Sequence, residues 1–175
     1  MNPVVILSLS ALFAVAIRVD AAEWPMFRGE PSLRGISDEV LSDSPRLLWT
    51  FKAEGAIKSS VAIAQSTAVF GSDDANIYAL NAKTGEKLWV FKAEGAVEAS
   101  PLILEDHVYI GTSEGAFYKL KLGDGTMVWT YTCGAQIASA ANWARVDDET
   151  SARILFGSYD FSIHCLDADS GTNLW

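Results

Sequence analysis

A tryptophan that recurs at a nearly constant interval constrains the fold of this chain more than any other feature. Four tryptophans lie 40, 40 and 46 residues apart, namely Trp49, Trp89, Trp129 and Trp175. The segment LWTFKAEGA at 48–56 returns as LWVFKAEGA at 88–96. Self-similarity at a period of this size is typical of architectures built from repeated supersecondary units.

Each repeat predicts a sheet of four short strands. Trp89 and Phe91 are two residues apart, so an extended strand places both rings on one face. In the second copy the predicted strands are about 96–104, 107–112, 116–121 and 127–132. A glycine stands four residues before each later tryptophan, where a hairpin needs positive φ: Gly85, Gly125 and Gly171. A four-stranded, Trp-marked unit with a period near 40 predicts an all-β propeller.

The repeats give the predicted domain boundaries. Residues 47–54 match only an outer strand, and they would complete a last blade formed by later sequence. Residues 56–92 and 96–132 are whole blades, and 135–175 is a third blade that stops where its outer strand should begin. Because a propeller needs about four blades or more, we expect an incomplete ring and hence the N-terminal part of a longer protein.

The N-terminus predicts export. Residues 4–17 are an apolar run, shorter than the roughly 20 residues that span a bilayer. Small residues follow, so we expect a signal peptide at 1–22 that is cleaved after Ala21 or Ala22. The start lacks Lys or Arg, and an N-terminal membrane anchor is the alternative. No cysteine for lipid attachment lies nearby, so the predicted location is periplasmic or secreted, with no stable span after cleavage. Residues 23–46 form an N-terminal extension.

The net charge of −9 limits the classes of partner. An acidic chain repels phosphate backbones and anionic membrane surfaces, so we expect no nucleic-acid partner.

In an antiparallel blade, the second-to-third turn and the link between blades lie at the same end. Acidic residues recur at both places and predict an acidic rim: Glu54, Asp74, Glu94, Glu114 and Asp160. Such a rim suits a basic partner or a cation, although Asp also favours turns and charge favours solubility.

Few residues suggest chemistry. The tryptophans and the three glycines are interpreted as structural residues that join neighbouring blades. His164 falls where the other copies have Tyr78 and Tyr118, and Cys165 falls in the slot of Ala79, so packing explains both. No His, Cys and Asp stand at metal-ligand spacing, and no catalytic, cofactor-binding or metal-binding residue is predicted. In an exported chain Cys133 and Cys165 could pair, but their places in the repeat argue against a disulfide.

The repeat resembles that of the pyrroloquinoline-quinone (PQQ)-like β-propellers. Ala79, Gly85, Glu86 and Trp89 match its tryptophan-docking motif, and the opening EWPMFRG at 23–29 is similar to secreted bacterial, BamB-like members. The resemblance covers essentially all of 23–175 and implies a ring of seven or eight blades.

The resemblance leaves the activity open. The leading interpretation is an exported, non-catalytic scaffold that binds a protein partner in the bacterial envelope, with no cofactor in this part of the chain. The alternative is a PQQ-dependent oxidoreductase, which would use PQQ and calcium and carry its catalytic residues in later blades. The adjacent cysteine pair expected of such dehydrogenases does not occur here. A third interpretation is the sensor or carbohydrate-associated part of a larger protein.

Overall fold

Eleven short β-strands account for the regular structure of the described residues. The computed structural model describes residues 23–37, 40, 43–146 and 151–175; the predicted signal peptide and residues 147–150 lie outside them. The strands are β1 (Ala62–Ala64), β2 (Thr67–Gly71), β3 (Asn76–Asn81), β4 (Lys87–Lys92), β5 (Leu102–Leu104), β6 (His107–Gly111), β7 (Ala116–Lys121), β8 (Met127–Thr132), β9 (Asn142–Ala144), β10 (Arg153–Gly157) and β11 (Ile163–Asp167). Within this part of the chain, no helix is long and apolar enough to cross a membrane.

The strands form three consecutive antiparallel sheets, one for each repeat. The first has the order β1-β2-β3-β4, the second β5-β6-β7-β8, and the third β9-β10-β11. The register is the same in each copy, since Phe70 faces Tyr78 and Ile110 faces Tyr118 across the second and third strands. The predicted all-β propeller blades are confirmed.

The innermost strands are shorter than predicted. The second copy was expected to begin its first strand near residue 96, but β5 starts at Leu102. The preceding backbone bonds to a neighbouring blade instead, because the N–H of Val97 donates to the carbonyl of Ser72 at 3.0 Å. Val97 also packs against Gly71, where a Cβ atom would collide with it. These residues therefore hold two blades together rather than extend a ladder.

Residues 47–54, predicted as an outer strand, have no assigned strand in the structure. A β-ladder needs a hydrogen-bonded neighbour, and none of the described strands pairs with this segment. The segment nevertheless packs on the first blade through Trp49, Phe51 and Ala53, which cover a cluster of Phe70, Tyr78 and Leu80.

The hydrophobic core lies between the blades. One cluster joins the first and second blades and includes Val69, Ile77, Val108 and Leu120, which are all fully buried. Another joins the second and third blades, where the rings of Phe117 and Phe156 stack with centroids 4.1 Å apart. Face-to-face burial of sheets is how a propeller obtains its core from blades that have little interior of their own.

The N-terminal extension crosses the three innermost strands. Trp24 forms an antiparallel bridge with Ile63 of β1, and the carbonyl of Pro25 accepts from the N–H of Ile103 of β5 at 2.6 Å. Further along, the carbonyl of Pro31 accepts a hydrogen bond from the side chain of Asn142 in β9. The side chain of Met26, in the same extension, is 1% exposed and packs into the cluster between the second and third blades. The extension thus covers the edges that the inner strands turn toward the propeller axis.

Candidate functional site

Three of the four periodic tryptophans make the same contact with the next blade. The indole N–H of Trp49 donates to the carbonyl of Ala82 at 3.1 Å, and that of Trp89 donates to Leu122 at 2.7 Å. In the third instance Trp129 donates to Ala168 at 3.2 Å. All three acceptors lie in turns that follow the third strand of a blade, so each indole joins one repeat to the next.

A glycine lies beneath each of these indoles. Gly85, Gly125 and Gly171 have φ of +73°, +73° and +72°, a backbone conformation that side-chain-bearing residues rarely adopt. A Cβ atom added to them would come within 2.6–2.8 Å of ring carbons of Trp49, Trp89 and Trp129. The glycine is therefore needed for the turn and for the close approach of the ring.

Trp175 shows no such contact. Its side chain is 59% exposed, and its carbonyl accepts a hydrogen bond from the N–H of Cys165 at 3.1 Å. The predicted docking role of Trp175 therefore stays a prediction.

The predicted acidic rim divides into two kinds of residue. The side chain of Asp74 turns inward: its Oδ2 atom accepts from the backbone N–H of Glu54 at 3.0 Å and from the hydroxyl of Tyr78 at 2.8 Å. Its Oδ1 atom accepts from the N–H of Asn76. Asp74 is thus a clamp that ties the segment entering the first blade to the turn after β2.

Asp160 makes the same clamp on the third blade. Its Oδ2 atom lies 3.1 Å from the backbone nitrogen of Gly134 and 3.0 Å from Nε2 of His164. In the second blade a different hydrogen bond takes the place of the aspartate clamp. There the N–H of Glu94 donates directly to the hydroxyl of Tyr118 at 3.2 Å. The exposed acidic residues of the rim are the three glutamates, Glu54, Glu94 and Glu114.

Hydrogen bonds govern the ionisation of both clamping aspartates. Burial alone would raise the pKa of Asp74, but hydrogen bonds from Tyr78 and from the backbone of Asn76 and Glu54 outweigh it and lower that pKa. The pKa of Asp160 is lowered in the same way, by Gly134, Ser162 and His164 acting against burial. Both side chains therefore carry a negative charge at neutral pH.

A buried lysine lies beside the Trp129 contact. Lys119 stands where the first copy has Ala79 and is 4% exposed. Its Nζ atom donates to the carbonyl of Ala168 at 2.9 Å, the same oxygen that accepts from Trp129 and, at 3.3 Å, from the hydroxyl of Tyr109. Desolvation lowers the pKa of Lys119, against the attraction of Asp169 and two other carboxylates.

The structure brings Cys133 together with Asp160 and His164, which lie 27 and 31 residues further along the chain. The side chains of Cys133, Asp160 and His164 converge at the link between the second and third blades. From the sequence alone, Asp160 is assigned to the acidic rim and His164 to packing, and Cys133 is considered only as a partner for Cys165. Cys165 is buried elsewhere, and neither cysteine is in a disulfide.

A family model described as outer membrane protein assembly factor BamB, of the PQQ-like repeat class, matches residues 39–175. The chain belongs to this family. The crystal structure of BamB from Moraxella catarrhalis is similar, with a TM-score of 0.61 and 30% identity over 73% of this chain and 39% of that one. The chain therefore spans about two fifths of that protein.

Other solved propellers share the fold at lower identity. The quinohemoprotein alcohol dehydrogenase from Comamonas testosteroni is 15% identical, with a TM-score of 0.68 over 88% of this chain and 27% of that one. A europium-containing methanol dehydrogenase is 16% identical, with the same TM-score over 88% of this chain and 31% of that one. A search of curated proteins found no significant match.

Proposed function

We propose that this chain is part of an exported, non-catalytic propeller that binds a protein partner in the bacterial envelope. The observation that carries the proposal is the family match over residues 39–175, because the family is described as an outer membrane protein assembly factor. The apolar run at residues 4–17, followed by Ala21 and Ala22, supports a location outside the cytoplasm.

The rim formed by Glu54, Glu94 and Glu114 is the surface that we propose for the partner. These three side chains are exposed, whereas Asp74 and Asp160 at the same end are engaged by the chain's own donors. Exposed carboxylates repeated from blade to blade create a negative potential that would attract a basic segment of a partner and speed its association.

Charge reversal tests this surface. A variant of the full-length protein with Glu54→Lys, Glu94→Lys and Glu114→Lys should bind an envelope partner of the unaltered protein about 10-fold or more weakly, because lysines would repel its basic segment. A matched control carries Glu86→Lys, Asp106→Lys and Asp124→Lys, which are exposed residues at the opposite end of the blades. Capture that is equal in both variants would contradict the proposed surface.

The oxidoreductase alternative needs its own experiment. The dehydrogenases that match at 15–16% identity share the fold, and at that identity a likeness supports the fold alone. The full-length protein would be incubated with PQQ and Ca²⁺ and assayed for dye reduction with alcohols and sugars. We expect no turnover above a sample without PQQ. Reproducible turnover would overturn the non-catalytic proposal.

A further inference from the structure

Three potential metal ligands converge where the second blade meets the third. The sulfur of Cys133, a carboxylate oxygen of Asp160 and a ring nitrogen of His164 lie within 4.8 Å of one another. Cys133 comes from the link after β8, Asp160 from the turn between β10 and β11, and His164 from β11 itself. The group therefore spans both blades.

The other two links show which residues occupy these positions elsewhere in the repeat. The slot of Cys133 holds alanine in the earlier copies, Ala53 and Ala93, and the slot of His164 holds Tyr78 and Tyr118. Only at the third link do a thiol and an imidazole replace them together, beside a carboxylate that is already present. A packing change at one slot would not require the other, whereas a metal site requires both.

The surroundings suit a metal-binding histidine. The Nδ1 atom of His164 lies 3.1 Å from the hydroxyl of Tyr131, while Nε2 points to Asp160. Metal-binding histidines usually use their second ring nitrogen in this way, which fixes the ring orientation. The backbone N–H groups of Gly134 and Ser162 fix the Asp160 carboxylate similarly.

We propose that Cys133, Asp160 and His164 form a binding site for a divalent cation of the Zn²⁺ class. One thiolate, one imidazole and one carboxylate are ligands that Zn²⁺ accepts, and three protein ligands leave a fourth tetrahedral position for water or another donor. The side chains of His164 and Asp160 are 12% and 19% exposed, so the site is sheltered yet reachable.

Binding has a defined proton balance. The Cys133 sulfur now lies 3.1 Å from the carbonyl of Ala135, 3.4 Å from that of Gly115 and 3.3 Å from the hydroxyl of Ser158. A metal ion binds the thiolate, so the thiol proton leaves to solvent as the metal–sulfur bond forms. No electron transfer is involved. The ion would add a cross-link between two blades.

Cobalt substitution tests the ligand set. The full-length protein, reduced and freed of metal, would be titrated with Co²⁺. We expect one equivalent to give the near-ultraviolet charge-transfer absorption of a cobalt–thiolate bond, and Zn²⁺ to displace it. Zn²⁺ should also raise the melting temperature of the unaltered protein, because an ion that binds only the folded state stabilises it.

The repeat supplies the variants. Cys133→Ala and His164→Tyr restore the residues of the other copies, so both should fold, which circular dichroism would check, and each should weaken binding more than about 100-fold. Tyr131→Phe should weaken it about 10-fold. Cys165→Ala removes the other thiol of these 175 residues and should retain binding.

Three results would overturn the proposal. They are a titration of the unaltered protein that shows no thiolate absorption, absorption that survives Cys133→Ala, and absorption that disappears with Cys165→Ala. The first of these results needs no variant, so the proposal stays testable even where a substitution impairs folding.

Discussion

The indole of Trp89 lies against the backbone of Gly125 in the following blade, and both residues recur in the neighbouring repeats. The ring donates its N–H to the carbonyl of Leu122 at 2.7 Å, while Gly125 leaves no Cβ atom to obstruct it. Trp89 is 8% exposed and belongs to the cluster between the first and second blades. One side chain therefore provides apolar burial and satisfies a turn carbonyl at the same time.

The hydrogen bond of Trp89 can be separated from its packing. Trp89→Phe keeps an aromatic ring but leaves the Leu122 carbonyl without this donor, and it should cost about 1–3 kcal/mol of unfolding free energy. Trp89→Ala also opens a cavity and should cost about 3–5 kcal/mol. Urea denaturation followed by circular dichroism would measure both. The control is Leu88→Ala, since Leu88 is 48% exposed. A loss of unfolding free energy in Leu88→Ala as large as that in Trp89→Phe would contradict the role assigned to the Trp89 hydrogen bond.

Two nearby glycines give a matched test of the turn beneath the indole. Gly125→Ala forces a side chain into positive φ and places its Cβ atom 2.7 Å from Trp89, so we expect a loss of about 2–4 kcal/mol. Gly123→Ala meets no atom within 4 Å, and we expect a change smaller than about 0.5 kcal/mol or a slight gain. Urea midpoints for the two variants would decide the matter, and equal midpoints would count against the proposed contact.

The inter-blade tryptophans illustrate what the sequence makes predictable. Trp89, Gly125 and their copies are periodic, and the same local turn chemistry applies wherever they occur. The N-terminal extension has no period of its own, so its course across β1, β5 and β9 could not be predicted. The shortness of the inner strands was also not predicted. The backbone near Val97 forms its hydrogen bond with another blade, and the local sequence does not indicate this pairing.

The site residues were predictable only in part. Matching acids were visible at Asp74 and Asp160, but the sequence does not reveal that backbone N–H groups of the entering links point at them. Cys133 and His164 are 31 residues apart and meet only because two blades stack. Their departure from the alanine and tyrosine of the other copies was the available signal.

The Asp74 clamp should make stability depend on pH in the acid range. The pKa of Asp74 is lowered in the folded state, whereas an unfolded aspartate has a pKa of about 3.9. Its contribution is therefore present above that pH and is lost as pH falls through the folded pKa. Asp74→Asn should cost about 1–2 kcal/mol at pH 7, with a smaller difference near pH 3.

Urea denaturation at the two pH values would measure the Asp74 effect. Glu54→Gln alters an exposed carboxylate of the same link and is the control, with little change at either pH. A penalty for Asp74→Asn that is the same at both pH values would mean that the charge of Asp74 is not what holds the link.

Lys119 is the group whose removal should not harm the fold. Its ammonium is buried beside the exposed Asp169, and the Ala168 carbonyl keeps two other donors, Tyr109 and Trp129, when Lys119 is replaced. Replacing a buried ion pair with hydrophobic residues is often neutral or stabilising, and here only Lys119 needs replacement because the Asp169 side chain is 76% exposed and stays solvated. Lys119→Met should therefore leave the unfolding free energy at pH 7 unchanged or raise it by about 1–2 kcal/mol.

The pH dependence of the difference in unfolding free energy between Lys119→Met and the unaltered protein tests whether the buried charge causes that difference. Burial lowers the pKa of Lys119 in the folded state, whereas an unfolded lysine has a pKa of about 10.4. As pH rises, the folded state therefore loses this proton before the unfolded chain does. The unaltered protein consequently gains stability as pH rises toward the unfolded pKa. The advantage of Lys119→Met should consequently shrink between pH 7 and pH 10. Lys121→Met changes an exposed lysine two residues away and should show no such trend. A loss above about 1 kcal/mol in Lys119→Met at pH 7 would instead mean that the ammonium group stabilises the contact between the second and third blades.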